Sequence, residues 1–189
     1  MAIDLLGRFI VRRVGGRRLV ARIVETEAYL GEGDRASHAW HGRITPRTAS
    51  LFRPGGVAYV FLIYGLHCCF NAVAGEATDG TAVLIRAAEP VEGEAWMSSR
   101  RGLRRPPRPG DVAGGPGKLC QALSIDRDAD GVSLRSRTLS VTWGAPPSAG
   151  RVAVAPRVGV DYAGAAAQWP LRFALHGNRH VSRPRPVER

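Results

Sequence analysis

The chain is short of lysine, cysteine and long apolar runs, and each shortage narrows what it can be. Lys118 is the only lysine among 27 basic residues, so chemistry that needs a side-chain amine has one candidate. Three cysteines, Cys68, Cys69 and Cys120, are too few and odd in number for a disulfide framework and point to a reduced, cytosolic protein. No run of about 18 apolar residues is present to span a bilayer. The first residues lack the charged-then-apolar pattern of a signal peptide. There is no internal repeat and no Ser-centred nucleophile elbow, and Cys120 has no local nucleophile motif. The run from Gly114 to Lys118 is followed by Leu119 rather than Ser or Thr, so it fails as a nucleotide-triphosphate loop. It reads instead as a turn into a helix whose first amides suit a phosphate. No His-x-Glu precedes a Pro-Cys-x-x-Cys, which argues against a zinc nucleobase deaminase. His38 with His41, and His67 with Cys68 and Cys69, lack metal-ligand spacing; no metal and no cofactor are expected, and the two cysteines read as small core residues.

What the chain has in abundance is positive charge. Its 27 basic residues face 16 acids, a formal net charge of +11 on 189 residues. Arginine is permanently charged and binds anions bidentately, so this surplus implies a polyanion, with nucleic acid favoured over an acidic membrane surface or plain solubility. The length suits one compact domain with a substantial core.

The patterning is mostly extended. Residues 8–29 read as a hairpin turning at Gly15-Gly16, and 30–56, rich in Gly, Arg, Pro and His, as a loop carrying polar function. Residues 57–73 form two strands about a Tyr64-Gly65-Leu66 turn, and 82–88 form another strand. Residues 90–101 predict a helix with acids near its start, 102–117 a flexible loop, and 118–123 a short helix, followed by strands through 160. From Arg183 the Arg- and Pro-rich tail, about 183–189, reads as disordered. The sum is an α+β domain dominated by antiparallel sheet.

Three places carry candidate chemistry. Glu25 and Glu27, two apart on a strand, face one side of the sheet while Thr26 faces the other. Two like charges there must be bound, hydrated or protonated; a site and a solvated strand face both satisfy that requirement. The Tyr64–His67 turn puts an aromatic and an apolar residue at a hairpin tip. Taken alone this reads as a tip folded back on its own core, and a wedge that enters a minor groove is the alternative. Arg43, Thr45, Arg47 and Thr48 suit phosphate oxygens or form a solvated basic loop.

Taken together, Arg22 to Tyr29, Gly33-Asp34 to His38, Gly42-Arg43 with Thr45-Pro46-Arg47, Tyr59 to Asn71, Val83 to Pro90, Gly114 to Leu123 and Arg157 to Val160 resemble the alkyladenine (3-methyladenine) DNA glycosylase family, in the same order over about residues 5–182. The resemblance implies a single domain, 1–189, with a mostly antiparallel curved sheet, flanking helices and a protruding β-hairpin that enters the DNA minor groove. It implies that Glu27 activates the hydrolytic water and that Arg86 helps hold it, with the Val158 backbone facing that water. Tyr29 would stack on one face of a flipped base and His38 and Phe61 on the other. Asn71 would crowd a guanine 2-amino group, Tyr64 would fill the hole in the duplex with Leu66 beside it, and Arg43, Thr45, Arg47, His67 and Lys118 would meet the DNA backbone. Phe61 stands where relatives often carry Tyr, Leu66 where Met is common, and Thr48 where Asn is frequent.

The expected function is therefore base excision repair. A DNA glycosylase would release alkylated or deaminated purines, of the 3-methyladenine, 7-methylguanine, hypoxanthine and ethenoadenine class, and leave an abasic site. A nearby carboxylate suits this chemistry, because it stabilises oxocarbenium character and accepts a proton from water. With its one lysine in a Gly-rich turn, the chain is expected to lack strand-cleaving lyase activity. The expected partner is double-stranded DNA containing damaged purines. No membrane and no obligate protein partner are expected of what would be a monomer acting at the nucleoid in a bacterial cytoplasm. Two alternatives are a non-catalytic module that recognises distorted duplex and a β-rich RNA-binding domain of the formyltransferase C-terminal type.

Overall fold

A computed structural model describes residues 1–147 and 151–186. Strand β1 (Phe9–Val14) turns at Gly15 and Gly16, both at positive φ, into the 14-residue β2 (Arg17–Leu30). Two consecutive left-handed residues make the tight turn whose twist matches the flanking strands, and glycine adopts it at little cost. After a loop built of short 3-10 turns come β3 (Ala58–Ile63), β4 (His67–Ala74) and β5 (Thr81–Glu92). Helices α1 (Glu94–Arg100) and α2 (Pro116–Leu123) follow, then β6 (Leu139–Thr142), β7 (Val152–Ala155), a 3-10 stretch at Asp161–Gln168 and β8 (Arg172–Leu175).

Every strand pairing is antiparallel, in the order β3-β4-β5-β2-β1-β6, with β8 against β2 and β7 outside β8. The fold is α+β, a curled antiparallel sheet with helices on one face. Strand β2 is its spine, because its first half pairs with β1, residues 25–27 pair with β8, and β5 runs along its other edge. Ile10, Leu19, Ile23, Phe70 and Ile85 pack against Met97 of α1 and Leu119, Cys120 and Leu123 of α2. This is the main apolar core.

Strict alternation from Leu19, Ala21 and Ile23, all in that core, would point Glu25 into it. The β2–β5 ladder avoids this with two irregularities: Ile23 pairs with Ala88, Glu25 with Ala87 and Thr26 with Ile85, so Val24 and Arg86 are skipped. Such bulges re-aim side chains. Thr26 now reaches the core side, donating to the Ala2 carbonyl at 3.0 Å, while Glu25 and Glu27 turn to the opposite face, where Arg86 also lies. The expected sharing of a face by the two carboxylates is thus met through a backbone irregularity.

Three elements differ from the sequence expectation. The helix expected from residue 90 begins at Glu94, because β5 continues to Glu92 and Pro90 is tolerated beside a register shift at Val20/Ala21. Strand β8 lies beyond the expected strands. Residues 183–186 of the tail are described, and Arg172 anchors them by donating to the Pro184 carbonyl at 2.7 Å; residues 187–189 lie outside the described residues. Among the described residues no helix is long and apolar enough to cross a membrane.

Candidate active site

Glu25 and Glu27 are both fully buried. Glu25 Oε1 accepts from Arg172 Nε at 2.6 Å, from the Ser182 hydroxyl at 3.0 Å and from Arg86 Nε at 3.3 Å, and its Oε2 accepts from the Ser182 amide at 2.7 Å. Glu27 Oε1 accepts from the Val158 amide at 2.8 Å and pairs with Arg86 Nη1 at 3.3 Å, while Oε2 accepts from the Tyr29 hydroxyl at 3.0 Å. One guanidinium therefore bridges the two carboxylates, and Arg172 supplies the second positive charge.

A cavity of about 140 Å³ opens beside this network. Its walls include Tyr29, His38, Phe61, Asn71, Arg86 and Val158. Five of these were expected around a base and Arg86 beside the hydrolytic water, and the fold brings all six together from four strands and two loops. Glu27 itself does not line the cavity, but its three partners Tyr29, Arg86 and Val158 do. Its carboxylate lies directly behind the wall.

Burial pushes the Glu27 carboxyl above the ordinary carboxylate range, only partly offset by the Arg86 charge, the Val158 amide and the Tyr29 hydroxyl. Burial would lower Arg86, yet the charges of Glu27 and Glu25 outweigh it and hold the guanidinium firmly protonated. Tyr29 is pushed well above the ordinary phenol value, first by burial and then by Glu27, so it remains a hydrogen-bond donor.

The opposite wall is aromatic. His38 meets Phe61 at a ring distance of 4.4 Å and 66°, and its Nδ1 lies 2.8 Å from the Tyr59 hydroxyl. Burial, with Arg47 nearby, lowers the His38 pKa, which keeps the imidazole neutral at neutral pH. Asn71 donates its Nδ2 to the Tyr59 carbonyl at 3.0 Å, which fixes the amide orientation. Cys69 also lines the cavity; burial lifts its thiol to about 11, so it is not a thiolate nucleophile at neutral pH. All three cysteines are free, and among the described residues no group of His, Cys, Asp and Glu could hold a metal.

Residues expected to touch DNA fall in several places. Tyr64 and Leu66 are 85% and 77% exposed at the β3–β4 turn, so the tip is not folded back on its own core. Tyr64 sits at φ +53, a left-handed conformation that a bulky side chain rarely adopts. Arg47 is exposed, donates to the Leu62 carbonyl at 3.3 Å and lies 5.6 Å from the Phe61 ring. Arg43 is exposed too, but the Thr45 hydroxyl is paired with that of Thr48 at 3.0 Å, so Thr45 helps fold the loop. His67 is exposed against the start of α2, where a Cβ on Gly117 would come within 3.1 Å of the His67 Cβ. Lys118 donates to the Gly110 carbonyl at 3.4 Å and is absent from the cavity wall.

Sequence reasoning missed a second buried pair. Arg157 grips Asp34 through both its terminal nitrogens, donates to the Ala28 and Ala166 carbonyls, and lies 4.8 Å from the Tyr29 ring. Asp34 in turn accepts from the Leu30 and Ala36 amides. This pair ties the loop after β2 to the strand leading into Val158 and so sets the two sides of Glu27. Two acids, Glu32 and Asp34, in a Gly-rich turn were the only local hint, and they do not say which one is paired. Tyr59, which orients His38, and Tyr162, at the cavity rim, were missed as well.

Comparison with known proteins identifies the family. Residues 1–179 match the family described as methylpurine-DNA glycosylase (MPG). A Myxococcus xanthus protein named "Putative 3-methyladenine DNA glycosylase" is 46% identical over 189 residues, covering 100% of this chain and 90% of its own. Proteins of the same name from an Anaeromyxobacter species and from Methanocella arvoryzae are 50% and 46% identical, covering 97% and 98% of this chain and 86% and 91% of their own lengths.

Proposed function

The chain belongs to the methylpurine-DNA glycosylase family, and from that premise we propose that it is a monofunctional DNA glycosylase that hydrolyses the N-glycosidic bond of damaged purines with a water activated by Glu27. The observation that carries this reading is the placement of Glu27: a buried carboxylate with a raised pKa, whose hydrogen-bond partners form the wall of an aromatic cavity. A buried carboxylate is a stronger base than an exposed one, while Arg86, the Val158 amide and Tyr29 favour its anion and partly offset the effect of burial. Those donors also fix the direction in which it accepts a proton.

In the proposed reaction the purine leaves the stack and enters between Tyr29 on one side and His38 with Phe61 on the other. Extrusion costs a few kcal/mol, least for damaged or mispaired bases, and Tyr64 offsets part of it by occupying the gap. Glu27 takes a proton from water as the water oxygen bonds to C1′; the C1′–N bond breaks, and its electron pair leaves with the base. The nearby carboxylate stabilises the oxocarbenium-like transition state. Alkylation at N3 or N7 makes the base cationic, and the electron-rich rings favour it by about 0.5–2 kcal/mol per good contact. Asn71, whose amide donates to the Tyr59 carbonyl, would crowd a guanine 2-amino group.

Lys118 lies outside the cavity wall, which supports hydrolysis without a Schiff base and hence without strand cleavage. The exposed Arg43, Arg47, His67 and Lys118 would meet DNA phosphates, and a monomer acting without an obligate protein partner suffices for this chemistry. The test is base release from defined duplexes, each carrying one methylated, deaminated or etheno purine, beside undamaged DNA. Release from at least one lesion, leaving an abasic site that breaks only on alkali treatment, is expected. Tight binding of lesion duplexes without release would instead identify a non-catalytic recognition module, and preference for structured RNA an RNA-binding domain.

A further inference from the structure

Tyr162 lines the cavity and is itself 63% exposed. Its backbone begins the 3-10 stretch Asp161–Gln168, four residues after Val158, whose amide holds Glu27. Behind it Val160, Ala163, Ala166 and Ala167 pack with Ala36 against Tyr29. Its hydroxyl donates to the Ala36 carbonyl at 3.3 Å. The residue is thus anchored through its main chain and its phenol tip while the ring stays in solvent, and it extends the Tyr29 wall outwards.

Exposure of so large a ring beside a cavity, when the hydroxyl already has a partner, leaves the ring itself as the surface on offer. A purine filling the cavity leaves its deoxyribose at the rim. We propose that Tyr162 is a positioning residue that packs on the sugar of the extruded nucleotide and opposes its return to the helix. The proposal rests on the glycosylase reading above. It differs from the role assigned to Tyr64, which occupies the space the base has left; Tyr162 holds the nucleotide that left it. Such a contact is expected to shift the population roughly fivefold, the low end of what aromatic stacking on a base contributes.

The experiment is single-turnover base release at saturating enzyme from two duplexes carrying the same hypoxanthine, one fully paired around the lesion and one with mismatched neighbours that weaken stacking. Tyr162→Ala is expected to slow release about fivefold in the paired duplex and less than twofold in the mismatched one, where return to the stack is less favourable. Tyr162→Phe, which keeps the ring but loses the bond to Ala36, is expected to match the wild type on both. A thermal melt of each variant, expected to coincide with the wild type, reports the fold. Wild-type rates for Tyr162→Ala on both duplexes would overturn the proposal. So would equal slowing on both, which marks a general pocket defect, or a Tyr162→Phe loss as large as that of Tyr162→Ala, which marks the Ala36 bond. Should hypoxanthine not be released, the duplex pair carries a lesion of the panel above that is; release from no lesion of that panel would bring down the glycosylase reading itself, and this inference with it.

Discussion

Glu25 and Glu27 lie two residues apart on one strand, are equally buried and share one arginine, yet they sit in different surroundings. Glu25 is closed in by Arg172, Arg86 and both donors of Ser182, all buried in their turn. Glu27 receives its hydrogen bonds from Tyr29 and Val158, groups that also form a cavity wall. Burial of a carboxylate therefore does not by itself mark a site. What distinguishes the two is whether the partners face open space, and whether the charge is fully matched. Arg172 and Ser182 make Glu25 the clasp that holds the C-terminal segment on the sheet, leaving Arg86 to steady Glu27.

The sharpest way to break this comparison is to neutralise each carboxylate and measure denaturant unfolding. Glu25→Gln leaves Arg172 without its counter-charge and is expected to cost about 3–5 kcal/mol, the usual penalty for removing one partner of a buried ion pair. Glu27→Gln is expected to cost nothing near pH 7. Because the folded-state pKa of Glu27 is raised above its unfolded value, its ionisation opposes folding: its contribution is most favourable below the ordinary carboxylate pKa and is lost as pH rises through the folded value. The stability of Glu27→Gln relative to wild type should thus fall as the pH is lowered. Equal losses for the two variants at pH 7 would show that Glu27 is as structural as Glu25.

A smaller effect should appear in the pH dependence of base release. The raised pKa places the acid limb above the ordinary carboxylate range, and Tyr29→Phe removes a donor that favours the anion. The limb should move to still higher pH in that variant, with roughly a tenfold loss of rate below it, the scale of one hydrogen bond to a charged group. An unmoved limb would detach Tyr29 from Glu27. The smallest effect concerns the hairpin tip. Tyr64→Gly relieves a left-handed backbone and is expected to stabilise the protein by about 1 kcal/mol while slowing base release from paired duplexes. Unchanged release would leave the strain at Tyr64 without a purpose.

Much of this was legible in the sequence because local signals agreed with the fold. Gly15-Gly16 marked a hairpin, aromatic and β-branched residues marked β3 and β4, and the residues from Tyr29 to Val158 that resembled a known family converge on one cavity. The bulges at Val24 and Arg86 were not legible: neither carries a glycine or another local mark, and what they do is turn Glu25, Glu27 and Arg86 away from the apolar core into one ion-pair network with Arg172. Pro90 misled the helix start, since proline is common in a first turn and here sits in a strand beside an irregularity. The hairpin tip taken alone suggested burial of Tyr64 and Leu66; the structure leaves both exposed. Arg157 and Asp34 are 123 residues apart, a separation at which no local pattern announces a pair.

The most direct test is single-turnover base release by Glu27→Gln on a lesion duplex that the wild type processes, with binding to the same duplex measured in parallel. Loss of release by about 10²–10⁴-fold, the usual worth of a positioned general base, with binding retained is the expected result. Release at the wild-type rate would remove Glu27 from the chemistry and contradict the account.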